Sequence, residues 1–337
     1  MRSLSVNRAG VFLAVVCLGW RPLAAGEAAG VADAAPAISD LLRANDDDLA
    51  VTKMQILSFD DSMGIETRTG NLSRLSANAK IRTLRIQCAD EVAGLTVGGV
   101  WTEVKVLSVI GAGISNLDFL ENFPNLYKLE ISSYALRDLK GIGKCPSLRE
   151  LSLDCKALTE PAFEGLSLTG LRMIRCGITN LDGLKGMKSL QSLEVRACPG
   201  LDDIDGIAGL VFQNLTLSLV PVTGVDELDF KNIKTLDLSF NEKLNSCASL
   251  RSLPDDLYSL NLIRTELRDF TVLMGKSVNL LDLPVDQANA ANTATVLAAM
   301  KIKRLGLQVT DRHPEAVFSE LQNRRIGNNL DFLAIFH

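Results

Sequence analysis

Residues 126–136 read Leu126-Tyr127-Lys128-Leu129-Glu130-Ile131-Ser132-Ser133-Tyr134-Ala135-Leu136, with apolar side chains at Leu126, Leu129, Ile131 and Leu136. The alternation Leu129-x-Ile131 makes a short strand whose apolar residues share one side. The same spacing returns as Leu168-x-x-Leu171-x-Met173-x-x-Cys176-x-Ile178 and as Leu257-x-x-Leu260-x-Leu262-x-x-Thr265-x-Leu267. Taking the middle apolar place as a landmark picks out Leu84, Leu107, Leu129, Leu151, Leu171, Leu193, Leu215, Leu236, Leu260, Leu281 and Leu305, with steps of 20 to 24 residues. A unit this short cannot bury its apolar face alone, so neighbouring units must stack.

Beyond each strand comes a place that needs a small polar side chain to bond the backbone between coils. Asn241 fills it once, and Cys176 and Cys198 fill it as weak sulfur donors or acceptors. Elsewhere the same spacing selects Ala112, Tyr134, Lys156, Val220, Thr265, Asp286 and Thr310. Across residues 81–310 the chain resembles the leucine-rich-repeat family, whose signature is L-x-x-L-x-L-x-x-N/C-x-L. The returning halves at 114–120, 136–142 and 178–184 are too short for full α-helices. They are similar to the 22-residue internalin-like and phosphatase-regulator-like subclass. This resemblance implies an α/β solenoid: a leucine-rich-repeat horseshoe with a parallel concave sheet and short 3-10 turns on the convex side. It bears on fold more than on function, because the scaffold serves unrelated tasks.

With 337 residues, 47% of them apolar, length alone suggests two domains, but stacked repeats make one elongated body. A net charge of -5 argues against a general nucleic-acid partner. Residues 1–26 read as a secretory signal peptide, with Arg2 and Arg8, an apolar run from Val11 to Trp20 and small residues at 24–26. The alternative is an apolar tail that stays on the protein. Later residues contain no stretch of 18 apolar residues, so no transmembrane segment is expected in the mature chain. Residues 27–80 form a leader and N-terminal cap, with a short helix over 38–43 and a degenerate strand at Met54-x-x-Leu57-x-Phe59. Residues 311–337 form a C-terminal cap, with a helix from Pro314 to Arg325 and an apolar closing strand over 330–336. A partner-docking tail is the other reading of that strand.

Removing the signal leaves Cys88, Cys145, Cys155, Cys176, Cys198 and Cys247. Repeat phase makes most of them buried structural thiols. Cys176 and Cys198 are the one pair whose equivalent places on adjacent coils lie within disulfide reach. Neither a C-x-x-C zinc pattern nor a G-x-S-x-G nucleophile turn occurs, and the two histidines, His313 and His337, both fall in the C-terminal cap. Asp46-Asp47-Asp48 and Asp202-Asp203-x-Asp205 lack the ligand spacing of a calcium loop. Hence the reading is non-enzymatic, with no catalytic residue, cofactor or metal. Asn71 and Asn214 open N-glycosylation acceptor triplets.

Residues between the inward places of each strand point away from the core. One such column runs Arg85, Ser108, Glu130, Ser152, Arg172, Glu194, Thr216, Asp237, Asn261, Asp282 and Gly306. Charge concentrates in the middle coils, giving a candidate partner-binding patch of Tyr127, Lys128, Glu130, Glu150, Asp154, Arg172, Arg175, Glu194, Arg196 and Asp237. Arg172 and Glu194 on adjacent strands either pair across the sheet, contributing about 0.2 to 1 kcal/mol, or help read a partner. Tyr127, Phe240 and Tyr258 are the available aromatic anchors. The expected function is a secreted or periplasmic protein binding a protein or cell-surface component through its concave face. Two rivals are an intracellular regulatory or adaptor subunit and, least favoured, an enzyme with an unrecognised site.

Overall fold

The structure, a computed structural model, describes residues 51–336 apart from 59–60, 76–79, 164, 247, 311–314, 325 and 327–329. The signal peptide, the helix over 38–43, Asp46 to Asp48, Cys247, His313 and His337 lie outside the described residues. The strands are β1 (Val51–Ser58), β2 (Ser62–Thr67), β3 (Asn71–Leu72), β4 (Thr83–Cys88), β5 (Thr96–Val97), β6 (Val106–Ile110), β7 (Lys128–Ser133) and β8 (Glu150–Cys155). They continue with β9 (Gly170–Ile174), β10 (Ser192–Arg196), β11 (Asn214–Ser218), β12 (Thr235–Asp237), β13 (Asp256–Asn261), β14 (Ser277–Val285), β15 (Lys301–Val309) and β16 (Phe332–Phe336).

Fourteen of these strands form one sheet, ordered along the chain from β1 to β16 with β3 and β5 set aside as a small pair. β1 pairs antiparallel with β2, and the remaining 13 strands run parallel. Such an order, with each strand paired to the next in the chain, belongs to a solenoid-like repeat fold. All eleven landmark leucines are direct register partners from Leu84 through Leu305. None is more than 2% exposed. One strand of the main sheet was missed: β2 carries Met63-Gly64-Ile65 in register with Leu84-Arg85-Ile86, without a leucine to mark it.

Short 3-10 helices sit in the returning segments, among them Asp118–Asn122, Ile142–Lys144, Asp182–Leu184 and Asp205–Ile207. Acidic residues in these segments serve the backbone. The Asp203 carboxylate accepts the Asp205 N–H at 2.9 Å, and Asn180 does the same for Asp182 at 3.0 Å. The Asp202-Asp203-x-Asp205 run is thus part of a turn, and the Lys140 N–H bonded to Asp138 lowers that carboxyl below its usual range.

Between β14 and β15 the chain instead forms a full helix, α1 (Ala290–Ala298). Ala290, Thr293, Ala294 and Leu297 give it a buried stripe at helical spacing, and neither Gly nor Pro interrupts it. A second helix, α2 (Glu315–Asn323), packs on α1 through buried Val317 and Leu321. β16 then adds the last strand, with Leu333 in register with Leu305 yet 40% exposed.

The polar ladder is offset from its expected place in part of the chain. After β9 to β13, a non-glycine residue adopts left-handed backbone: Arg175, Ala197, Leu219, Phe240 and Arg264, with φ from 51° to 60°. Each is strained by its Cβ. This turn brings the following residue inward, so Cys176, Cys198, Val220, Asn241 and Thr265 are buried as expected. In the coils of β6, β7, β8, β14 and β15 that extra residue is absent, and Gly111, Ser133, Cys155, Val285 and Val309 take the inward place. Ala112, Tyr134, Lys156, Asp286 and Thr310 therefore do not face the core, and Tyr134 is 63% exposed. Ser133 donates to the Ile114 carbonyl at 2.6 Å and accepts the Ala135 N–H at 3.0 Å.

Thiols continue this ladder. Cys155, Cys176 and Cys198 point at the carbonyls of Ile131, Leu153 and Met173, at 3.8, 3.7 and 4.0 Å. These carbonyls hold equivalent places in the preceding coil, and Asn241 bonds a fourth, that of Leu217. Cys176 and Cys198 touch each other yet are free thiols, so no disulfide joins them. Contact with Cys198 and burial push the Cys176 thiol up. Burial pushes Cys88 and Cys155 up to about 12 and Cys145 up to about 11, which keeps these thiols protonated and poorly nucleophilic at neutral pH.

Candidate functional site

Strict alternation along β7, β8, β9 and β10 sends every second side chain to solvent, on the face opposite the leucines. Register then sets these residues side by side. Lys128, Glu150, Gly170, Ser192 and Asn214 form one row, and Glu130, Ser152, Arg172, Glu194, Thr216 and Asp237 the next.

The charged candidates fall into three ion-paired groups. Lys128 Nζ lies 2.9 Å from Glu130 and 4.0 Å from Glu150. Arg175, projected by its left-handed backbone, takes the Asp154 carboxylate with two guanidinium nitrogens. Arg172 lies 3.4 Å from Glu194, which Arg196 also binds at 2.7 Å. Arg196 then reaches over β11 to Asp237 at 2.9 Å, above the small residues Thr216 and Ser218. Asp237 is the most covered of these carboxylates, its side chain 14% exposed. Two strands further on, burial and the neighbouring Asp237 push the Asp282 carboxyl up against the opposing pull of Arg304.

Tyr127, 47% exposed, stands beside this network at the start of β7. Of the other aromatic candidates, Tyr258 is 59% exposed, and Phe240 carries the Arg264 guanidinium 5.4 Å from its ring centre. Tyr134 was missed because its place was read as inward.

Also missed was a groove of about 370 Å³ over Gly170, walled by Lys128, Glu130, Glu150, Arg172, Ser192 and Glu194. Thr169, Gln191, Gln213 and Asn214 complete its rim. The Gln213 amide donates to Gln191 at 3.0 Å and accepts from Lys234 at 3.1 Å. These residues lie one and two places before the landmark leucines, so the signal was present in the repeat phase.

Among the described residues no three His, Cys, Asp or Glu side chains converge as a metal site, and no helix is long and apolar enough to cross a membrane. No family model and no curated protein matches this chain.

Proposed function

We propose that this chain is a non-enzymatic leucine-rich-repeat protein whose solenoid curves as a horseshoe, sheet on the concave side and 3-10 turns on the convex side. The concave face binds a protein or cell-surface partner, without cofactor or metal and without nucleic acid. The supporting observation is the unbroken register of the landmark leucines, which turns scattered outward residues into one continuous array. Such an array favours charge complementarity, which governs association rate and specificity more than raw affinity.

Arg196 sits between Glu194 and Asp237, so reversing its charge would repel both and disturb the fold. The test therefore uses neutral changes that repel no neighbour, Arg172→Gln with Glu130→Gln. Against a partner captured with the full-length protein, this pair should slow association about 3- to 10-fold. Changing exposed Lys185 and Lys188 to Gln on the returning segment should leave the rate unchanged. Loss with the lysine pair and retention with the sheet pair would move the site off the sheet.

Residues 1–26 direct the chain to a secreted or periplasmic location in this proposal. One observation favours the intracellular regulatory or adaptor reading instead: among the described residues five buried cysteines are free, including the adjacent pair Cys176 and Cys198. Amino-terminal sequencing of the protein from its native source decides between them. Export predicts a start near residue 26, and the intracellular reading predicts an intact Met1.

A further inference from the structure

We propose that the groove over Gly170 is the seat for one lysine or arginine side chain of a protein partner, an inference that rests on the binding role proposed above. In the row Lys128, Glu150, Gly170, Ser192, Asn214, the glycine alone lacks a side chain, and the sheet face is dented there. Backbone geometry does not demand the glycine. Its φ is not left-handed, and an added Cβ would come no closer than 3.8 Å to the Glu150 side chain, an ordinary contact. At Gly206, by contrast, a Cβ would lie 2.0 Å from the Leu181 carbonyl oxygen. What Gly170 supplies is space. At about 370 Å³ the groove falls at the small end of ligand sites, about 300 to 1,000 Å³.

Charge decides what enters. Three carboxylates, Glu130, Glu150 and Glu194, line the groove against two cations, Lys128 and Arg172. Both cations are committed: Lys128 is 2.9 Å from Glu130, and Arg172 is 3.4 Å from Glu194. Glu150, which forms the wall beside Gly170, meets Lys128 only at 4.0 Å, and its side chain is 45% exposed. An anion placed here would compete with existing ion pairs and face Glu150, the most weakly paired carboxylate of the groove. A guanidinium or ammonium would neutralise Glu150, with the hydroxyls of Thr169 and Ser192 in the lining as acceptors for its remaining donors.

The probe is the peptide acetyl-Gly-Gly-Arg-Gly-Gly-amide, followed by saturation-transfer NMR with the full chain. Peptides with citrulline or glutamate replacing the arginine give a neutral isostere and an anion. The arginine peptide should receive saturation, and the citrulline peptide should bind about tenfold more weakly. Gly170→Leu, which fills the groove, and Glu150→Gln should each weaken the arginine peptide about tenfold while leaving the melting temperature near that of the parent protein. Equal binding of arginine and citrulline, preference for glutamate, unchanged binding to Gly170→Leu, or no saturation of any peptide would each overturn the seat. If partner association still slows with Arg172→Gln and Glu130→Gln, only the seat fails; if it does not, the face reading fails too.

Discussion

Replacing Leu193 by alanine should lower the unfolding free energy by about 2 to 5 kcal/mol, measured by urea denaturation. Leu193 is 1% exposed and pairs in register with Leu171 on one side and Leu215 on the other. A solenoid coil contacts only its neighbours, so the cavity would weaken two stacking interfaces with no distant side chain able to fill it. Parallel strands held at ~4.8 Å cannot close in without breaking their hydrogen bonds. A loss below about 0.5 kcal/mol would mean that the inward column has been misplaced.

Asn241→Ala should cost about 2 to 4 kcal/mol in the same measurement, because it strands three buried backbone groups at once. Its Nδ2 donates to the carbonyls of Leu217 at 2.7 Å and Leu238 at 2.9 Å, and its Oδ1 accepts the Val220 N–H at 3.0 Å. The side chain is 1% exposed, leaving no water to replace it. Cys198 holds the same place in an earlier coil with sulfur contacts of 3.4 Å and 4.0 Å. Cys198→Ala should therefore be the milder change. An equal or larger loss at Cys198 would show that volume, not hydrogen bonding, sets the ladder's strength.

The landmark leucines were legible because burial enforces them: a polar residue in that column would sit inside the core. They fixed strand direction, register and the outward columns from sequence. Weaker constraints left weaker traces. The ladder shifts by one residue according to whether the preceding backbone turns left-handed, and Arg175, Ala197, Leu219, Phe240 and Arg264 share no chemistry that would announce the turn. β2 was missed because Met63 and Ile65 replace leucine, and α1 because the returning halves were read as short 3-10 turns. In the candidate site, the charged residues and the Arg172–Glu194 pair stood out in sequence, but the other partners did not. Arg196 reaching Asp237 depends on the small side chains of β11, which only register reveals. Gly170 was invisible as a site residue because its contribution is an absent side chain.

The claim that the outward sheet face is the binding surface is tested most directly by labelling carboxylates with a carbodiimide and an amine, in the free protein and in its partner complex. Glu130, Glu150 and Glu194 line the sheet face, whereas Asp138, Asp182, Asp203 and Asp205 are exposed on returning segments. The account predicts that the complex protects the three glutamates and leaves the four aspartates labelled as before. Protection of the aspartates with unchanged labelling of the glutamates would contradict it.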